Sequence, residues 1–154
     1  MITVSDGVAA GTREDRSGEA LAHLLRESGY DVSGPEVVAD EKERIAHAID
    51  AAIAAGAHLV VTTGGTGLGP RDVTPQATAA TIEYDVPGIA ELMRRAGAES
   101  TPMAALSRGI AGVRGRTLVL NVPGSTKGAT ESLAAVMPVL GHALQLLRGD
   151  TAHR

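Results

Sequence analysis

The run HLVVTT at residues 58–63 passes without a break into GGTGLGPRDVTP. A continuous apolar stretch of strand length suits a strand covered on both faces, the situation found in parallel sheets. Parallel neighbours cannot be joined by a tight turn, and each connection needs a dozen or more residues, usually a helix. This one junction therefore points to alternating strands and helices. It also asks what the loop after the strand is shaped for. Residues 62–75 hold four glycines, four threonines and two prolines, with Arg71 and Asp72 side by side. Glycine admits positive φ and lets backbone approach a ligand closely, whereas proline fixes φ.

The rest of the chain alternates as the junction requires. ITVS (2–5) reads as a short first strand, followed by a polar, glycine-rich loop, DGVAAGTREDRSG. A helix runs from about Ser17 to Ser28, with Ala20, Leu21, Leu24 and Leu25 on one face and Gly29 as its stop. A second strand ends at Val38. The helix near Glu41–Ala55 carries Ile45, Ala48, Ile49, Ala52 and Ile53 at helical spacing and closes at Gly56. After the glycine loop, Thr74 as N-cap and Pro75 as first helical residue start another helix. PGIAELMRRAGA (87–98) is helical, followed by a short helical piece near 102–107 and by GVRGRTLVLN, a hairpin or turn into a strand over 117–120. The last helix covers about 127–147, split or kinked by Pro138, and GDTAHR closes the chain as a frayed tail. The order implies an α/β three-layer sandwich, a mostly parallel central sheet with helices on both faces, in a single domain over 1–154.

Such a sheet must be covered by small side chains, because the chain has no Phe or Trp and its only tyrosines are Tyr30 and Tyr84. A formal charge of −4 argues against a nucleic-acid backbone as partner. With no cysteine, disulfides, thiolate metal sites and cysteine nucleophiles are excluded. No apolar stretch reaches the ~18 residues of a membrane span, and no basic-then-apolar leader precedes the first strand. The expected setting is cytoplasmic, without membrane contact.

In open parallel sheets, ligands bind beyond the carboxyl ends of the strands. Those ends are Ser5-Asp6, Asp40, the TTGGTG loop with Arg71-Asp72, and NVPGSTKG (121–128). Gly64, Gly65 and Gly67 would offer backbone N–H groups to an anion, and Thr66 a hydroxyl. PGSTKG precedes a helix, whose free N–H groups suit phosphate, and Lys127 and Arg71 could add charge. Asp40 and Asp72 suit Mg²⁺, which takes one or two carboxylates and fills its shell with phosphate oxygens and water. Phosphate cradles beside carboxylates suggest phosphoryl or nucleotidyl transfer. Each feature also has a purely structural reading. Asp40 can cap the helix near Glu41, Asp72 can serve the turn before Thr74, and Ser125 and Thr126 can be N-caps. The histidines read as structural and the pair Arg94-Arg95 as a solvated helix face. Neither standard phosphate fingerprint fits, since Pro70-Arg71 follows Gly69.

TTGGTGLGPRDVTPQAT (62–78) resembles the signature of the molybdenum-cofactor biosynthesis family that includes molybdopterin adenylyltransferase. ITVSD with GTREDRSG, VVAD (37–40), PGIAELMR (87–94), LSR (106–108) and LNVPGSTKG (120–128) fall in the family's order, so the resemblance covers essentially the whole chain. It implies an α/β fold around a mostly parallel sheet, assembled as a homotrimer or, in some branches, a hexamer. It implies Mg²⁺-dependent transfer of AMP from ATP to the terminal phosphate of molybdopterin, releasing pyrophosphate. The alternative within the family is a molybdopterin-binding scaffold or carrier that does not catalyse. On this resemblance Asp40 and Asp72 hold the metal and serve catalysis, while Gly65, Thr66 and Gly67 approach phosphates. Ser107, Asn121, Gly124, Ser125 and Lys127 line the substrate side, and Ser5 and Asp6 contribute from the first strand. Expected partners are molybdopterin, ATP and, transiently, other enzymes of the cofactor's synthesis. The chain departs from many relatives in carrying Gly7 after the Ser-Asp pair, where they have arginine, and in beginning close to its first strand.

Overall fold

In the computed structural model, which describes residues 1–150, the elements follow one another as β1 (Ile2–Val4), α1 (Asp6–Ala9), α2 (Arg16–Glu27), β2 (Glu36–Val38), α3 (Lys42–Ala54), β3 (Leu59–Thr63), α4 (Thr74–Ala79), β4 (Tyr84–Asp85), α5 (Pro87–Ser100), β5 (Ala111–Arg114), β6 (Thr117–Val122) and α6 (Thr126–Leu147). The apolar run has become β3, and its period of two explains why no polar face interrupts it. Val61 packs into one core and Val60 into the other. β6 repeats the alternation, with Leu118 and Leu120 on one side and Val119 on the other.

The strands form one sheet in the order β2-β1-β3-β6-β5-β4. β2, β1, β3 and β6 run parallel, and β5 and β4 close the far edge antiparallel. Leu21 and Leu25 of α2, Ile89 and Met93 of α5, and Leu133, Val136 and Leu140 of α6 cover one face. Ile45, Ala48 and Ile49 of α3 and Ala77 of α4 cover the other. The expected three-layer α/β sandwich is therefore present, filled by aliphatic side chains and methionine. Among the described residues no helix is long and apolar enough to cross a membrane.

Several local expectations are corrected. The segment after β1 begins with the short helix α1, because Ser5 Oγ accepts the Val8 amide (3.2 Å) and caps it. Thr74 is the first helical residue of α4 rather than its cap. Its hydroxyl has a tertiary acceptor, the Gly64 carbonyl (2.9 Å), so Val73 takes the cap position. β4 has too few residues to show a periodicity, and is defined by its pairing with β5. α6 runs unbroken through Pro138, forgoing the amide bond the ring cannot make. Gly149 and Asp150 form an ordered stop: Gly149 adopts φ 84°, its amide donates to Leu146 O, and Asp150 N–H donates to Gln145 O. The rest of the expected frayed tail, 151–154, lies outside the described residues.

Candidate functional site

β1 and β3 are neighbours, yet the chain leaves β1 toward β2 through α2 on one face and returns to β3 through α3 on the other. Where such connections diverge, a crevice opens at the carboxyl ends of the strands. It holds a cavity of about 730 Å³, lined by Ser5, Asp40, Gly64, Gly65, Asp72, Gly124 and Ser125 together with residues 13–17. The exits of β1, β2, β3 and β6 thus meet, as the strand-end rule requires.

The remaining candidates lie elsewhere. Thr66, Gly67, Ser107 and Asn121 line a second cavity of about 260 Å³ beneath α5 and a 3₁₀ turn at Pro102–Leu106, and Ser125 lines both. Asp6 and Lys127 line neither cavity. Lys127 is exposed on α6, 4.0 Å from Glu131.

The glycines are needed where the loop presses on its supports. Gly64 (φ 104°) and Gly65 (φ 67°) are left-handed, and a Cβ on Gly64 would strike the Val4 carbonyl. On Gly65 it would strike Thr74 Oγ1 and lie 3.2 Å from Asp40 Oδ1. A Cβ on Gly124 would sit 3.2 Å from Gly64 Cα, so the β3 and β6 exits touch main chain to main chain. Arg108 clamps the loop from outside. Its Nε donates to Gly67 O (2.8 Å), its Nη2 to Asp72 O (2.7 Å), and its amide to Thr66 O (2.8 Å). Arg94, expected on a solvated face, instead donates to Gly109 O (2.9 Å) beside Ser107. Neither arginine was a candidate from sequence, although the family-like stretches PGIAELMR (87–94) and LSR (106–108) contain them.

The carboxylates form an interlocked set. Asp6 N–H donates to Asp40 Oδ2 (2.8 Å) and Asp40 N–H donates to Asp6 Oδ1 (3.0 Å), stapling the β1 exit to the β2 exit. Asp40 therefore does not cap α3, whose N-cap is Glu41. Arg71 grips Asp6 with two bonds of 3.0 Å, so it is an ion-pair partner and not a free phosphate ligand. Asp72 Oδ2 accepts the Gly69 amide (2.9 Å), which satisfies the turn with one oxygen. Ser125 Oγ accepts the Gly128 amide (3.1 Å) and caps α6. The first amides of α6, which have no intrahelical acceptor, begin at this cavity wall.

Burial pushes the Asp40 carboxyl above the ordinary aspartate range, and the charges of Asp6 and Asp72 add to the shift. The Arg71 hydrogen bonds hold Asp6 below that range. A lowered carboxyl contributes stability above its unfolded value and loses it as pH falls through the folded value. Arg71→Gln should therefore return Asp6 toward the ordinary range and change neutral-pH melting little, since the pair is exposed. Carboxyl-carbon NMR titration reads this directly; an Asp6 titration unmoved by the substitution would refute the assignment.

Asn121 is 1% exposed and three hydrogen bonds hold its amide. Nδ2 donates to Thr62 Oγ1 (3.0 Å) and Thr78 Oγ1 (2.9 Å), and Oδ1 accepts the Ile110 amide (3.2 Å). It lines the second cavity with both amide hydrogens committed to the wall, and its oxygen keeps one further lone pair.

Among the described residues no three His, Cys, Asp or Glu side chains converge as a metal-ligand set. The cavity offers the Asp40 and Asp72 carboxylates and leaves the rest of a coordination shell to others. That donor set fits Mg²⁺, which takes one or two carboxylates and keeps water and phosphate oxygens. A cation there would also offset the Asp6 and Asp72 charges that add to the effect of burial on Asp40.

Residues 1–142 match the family described as "Probable molybdopterin binding domain". A molybdenum cofactor biosynthesis bifunctional protein from Synechococcus elongatus is 44% identical over 149 residues, 97% of this chain and 47% of that protein. The chain thus spans about half the length of the first curated relatives it matches. A molybdopterin adenylyltransferase from Helicobacter pylori is 38% identical over 156 residues, 97% of this chain and 87% of the relative. Among solved structures, the molybdopterin biosynthesis enzyme MoaB from Thermus thermophilus superposes with a TM-score of 0.90 at 52% identity, covering 96% of this chain and 94% of that one.

Proposed function

The chain belongs to the molybdopterin-binding-domain family of molybdenum cofactor biosynthesis, and from that premise we propose that it transfers AMP from ATP to the terminal phosphate of molybdopterin. A phosphate oxygen of the pterin attacks the α-phosphorus of ATP. The bond from that phosphorus to the bridging oxygen breaks, and pyrophosphate leaves with the bond's electron pair. The observation that carries the reading is the convergence, in one cavity, of main-chain glycines, two aspartates and the start of α6.

Phosphoryl and nucleotidyl transfers ask the protein mainly to position groups and offset charge. Gly64 and Gly65 let phosphate oxygens approach the main chain, and the first turn of α6 presents its N–H groups to an anion. Asp40 and Asp72 would hold Mg²⁺, which when bound offsets charge on the phosphates. Met93, Met103 and Leu106 give the smaller cavity apolar walls suited to a flat ring system, and Ser125 stands where the two cavities meet. On the same premise the protein assembles as a trimer, which light scattering of the purified chain would test.

The deciding experiment is a turnover assay with purified protein, molybdopterin, ATP and Mg²⁺, following adenylylated pterin and pyrophosphate together. Matched formation of both is expected. Retention of molybdopterin without either product would replace this reading with that of a binding scaffold.

A further inference from the structure

The larger cavity has an unbalanced wall for a ligand made of phosphates. Asp40 and Asp72 line it, and the two cations that sequence offered are unavailable to it. Arg71 is committed to Asp6, and Lys127 lies outside. Asp15 is spent on Thr3 Oγ1 (2.8 Å) and the Gly18 amide (3.0 Å). Arg16 lines the cavity too but has its Nε 3.3 Å from Glu14. Arg13 also lines the cavity, and among the described residues its side chain has neither an ion pair nor a hydrogen bond. Resting on the proposed reading, we infer that Arg13 is the phosphate-binding cation of this cavity and that Gly7 is the slot that seats it.

The seating is specific. The Thr12 and Arg13 amides both donate to the Gly7 carbonyl (2.9 and 3.2 Å), and Thr12 Oγ1 does so as well (3.0 Å), folding the loop back over α1. The stem of Arg13 then lies across Gly7. A Cβ at residue 7 would stand 2.6 Å from Arg13 Cδ and 3.1 Å from Cγ. Gly7 is not among the left-handed glycines, so its backbone would accept any residue. A side chain there would instead push the arginine stem out of this seat. A guanidinium presents a planar fork of donors matched to phosphate oxygens, which a lysine ammonium does not.

Calorimetric titration of inorganic pyrophosphate and of inorganic phosphate, each with Mg²⁺, tests this on the intact chain. Arg13→Ala should weaken pyrophosphate binding by about tenfold or more, and Arg13→Lys should restore part of it. Gly7→Ala should weaken it several-fold by displacing the stem while keeping, or raising, helicity in α1. Arg95→Ala, on an exposed face of α5, should change nothing, and thermal melts should show every variant folded. A loss confined to pyrophosphate places Arg13 on the nucleotide's phosphates. A loss confined to phosphate keeps it as the phosphate cation but places it on the pterin's terminal group. Wild-type affinity for both anions in Arg13→Ala, or no binding of either by the wild type, overturns the inference. The turnover assay judges the parent reading separately. Absent product with Arg13-dependent pyrophosphate binding removes the adenylyltransferase and leaves this site standing, and the reverse result does the opposite.

Discussion

Asp40→Asn is expected to lower adenylyl transfer by about 10²-fold or more and, at neutral pH, to raise the melting temperature. The two effects share one cause. Burial, with the charges of Asp6 and Asp72 adding to it, raises the Asp40 carboxyl above the ordinary range. A raised carboxyl favours folding most below its unfolded value and loses that contribution as pH climbs through the folded value. At neutral pH the charge therefore opposes folding, as the proposed role in holding a cation would require. Asparagine retains an oxygen for the Asp6 amide, so the staple between the β1 and β2 exits survives. The expected gain should shrink as the pH is lowered and the wild-type carboxyl takes up its proton. A lower melting temperature in the variant at neutral pH would show that the charge supports the fold. Asp72→Asn should lose turnover comparably with the loop intact, since an amide oxygen still accepts from Gly69 N–H.

The largest stability loss is expected at Asn121. Truncation to alanine removes three side-chain bonds at a residue that is 1% exposed. The Ile110 amide then loses its acceptor, and the Thr62 and Thr78 hydroxyl oxygens lose a donor. Orphaned buried groups cost about 1–3 kcal/mol each when no partner replaces them. The cost at Thr62 is smaller because its hydroxyl still donates to Leu120 O (3.5 Å). A loss of about 3 kcal/mol follows, or a fall of about 8 °C in melting temperature. Denaturant unfolding gives the value, and a change below about 1 kcal/mol would mean that water or a shifted neighbour fills the gap.

What could be read without coordinates was whatever rested on period and topology. The uninterrupted run at 58–63 announced a strand buried on both faces because alternate side chains had no polar partner to turn outward. The meeting of Ser5, Asp40, Gly64 and Gly124 followed from strand direction alone. What stayed hidden depended on long side chains reaching distant main chain. Arg71 and Asp6 are 65 residues apart, and Arg108 and Gly67 are 41 apart. Nothing local distinguishes such arginines from solvated ones, so neither the Arg71–Asp6 pair nor the Arg108 clamp shows in the sequence. Thr74 slipped from cap to first helical residue for the same reason, its hydroxyl having a tertiary acceptor ten residues back. The division into two cavities depends on how α5 and the 3₁₀ turn fold over the loop, which no spacing in the chain encodes.

The contact of Gly64 with Gly124 sets how the site responds to heat. A cleft walled by side chains widens gradually, as one rotamer after another becomes accessible. Here the gap between the two exits is limited by main chain on main chain, continuous with β3 and β6 at the centre of the sheet. That seam has no rotamers to release, so its compliance is that of the sheet. Such a seam keeps its width until the parallel strands part.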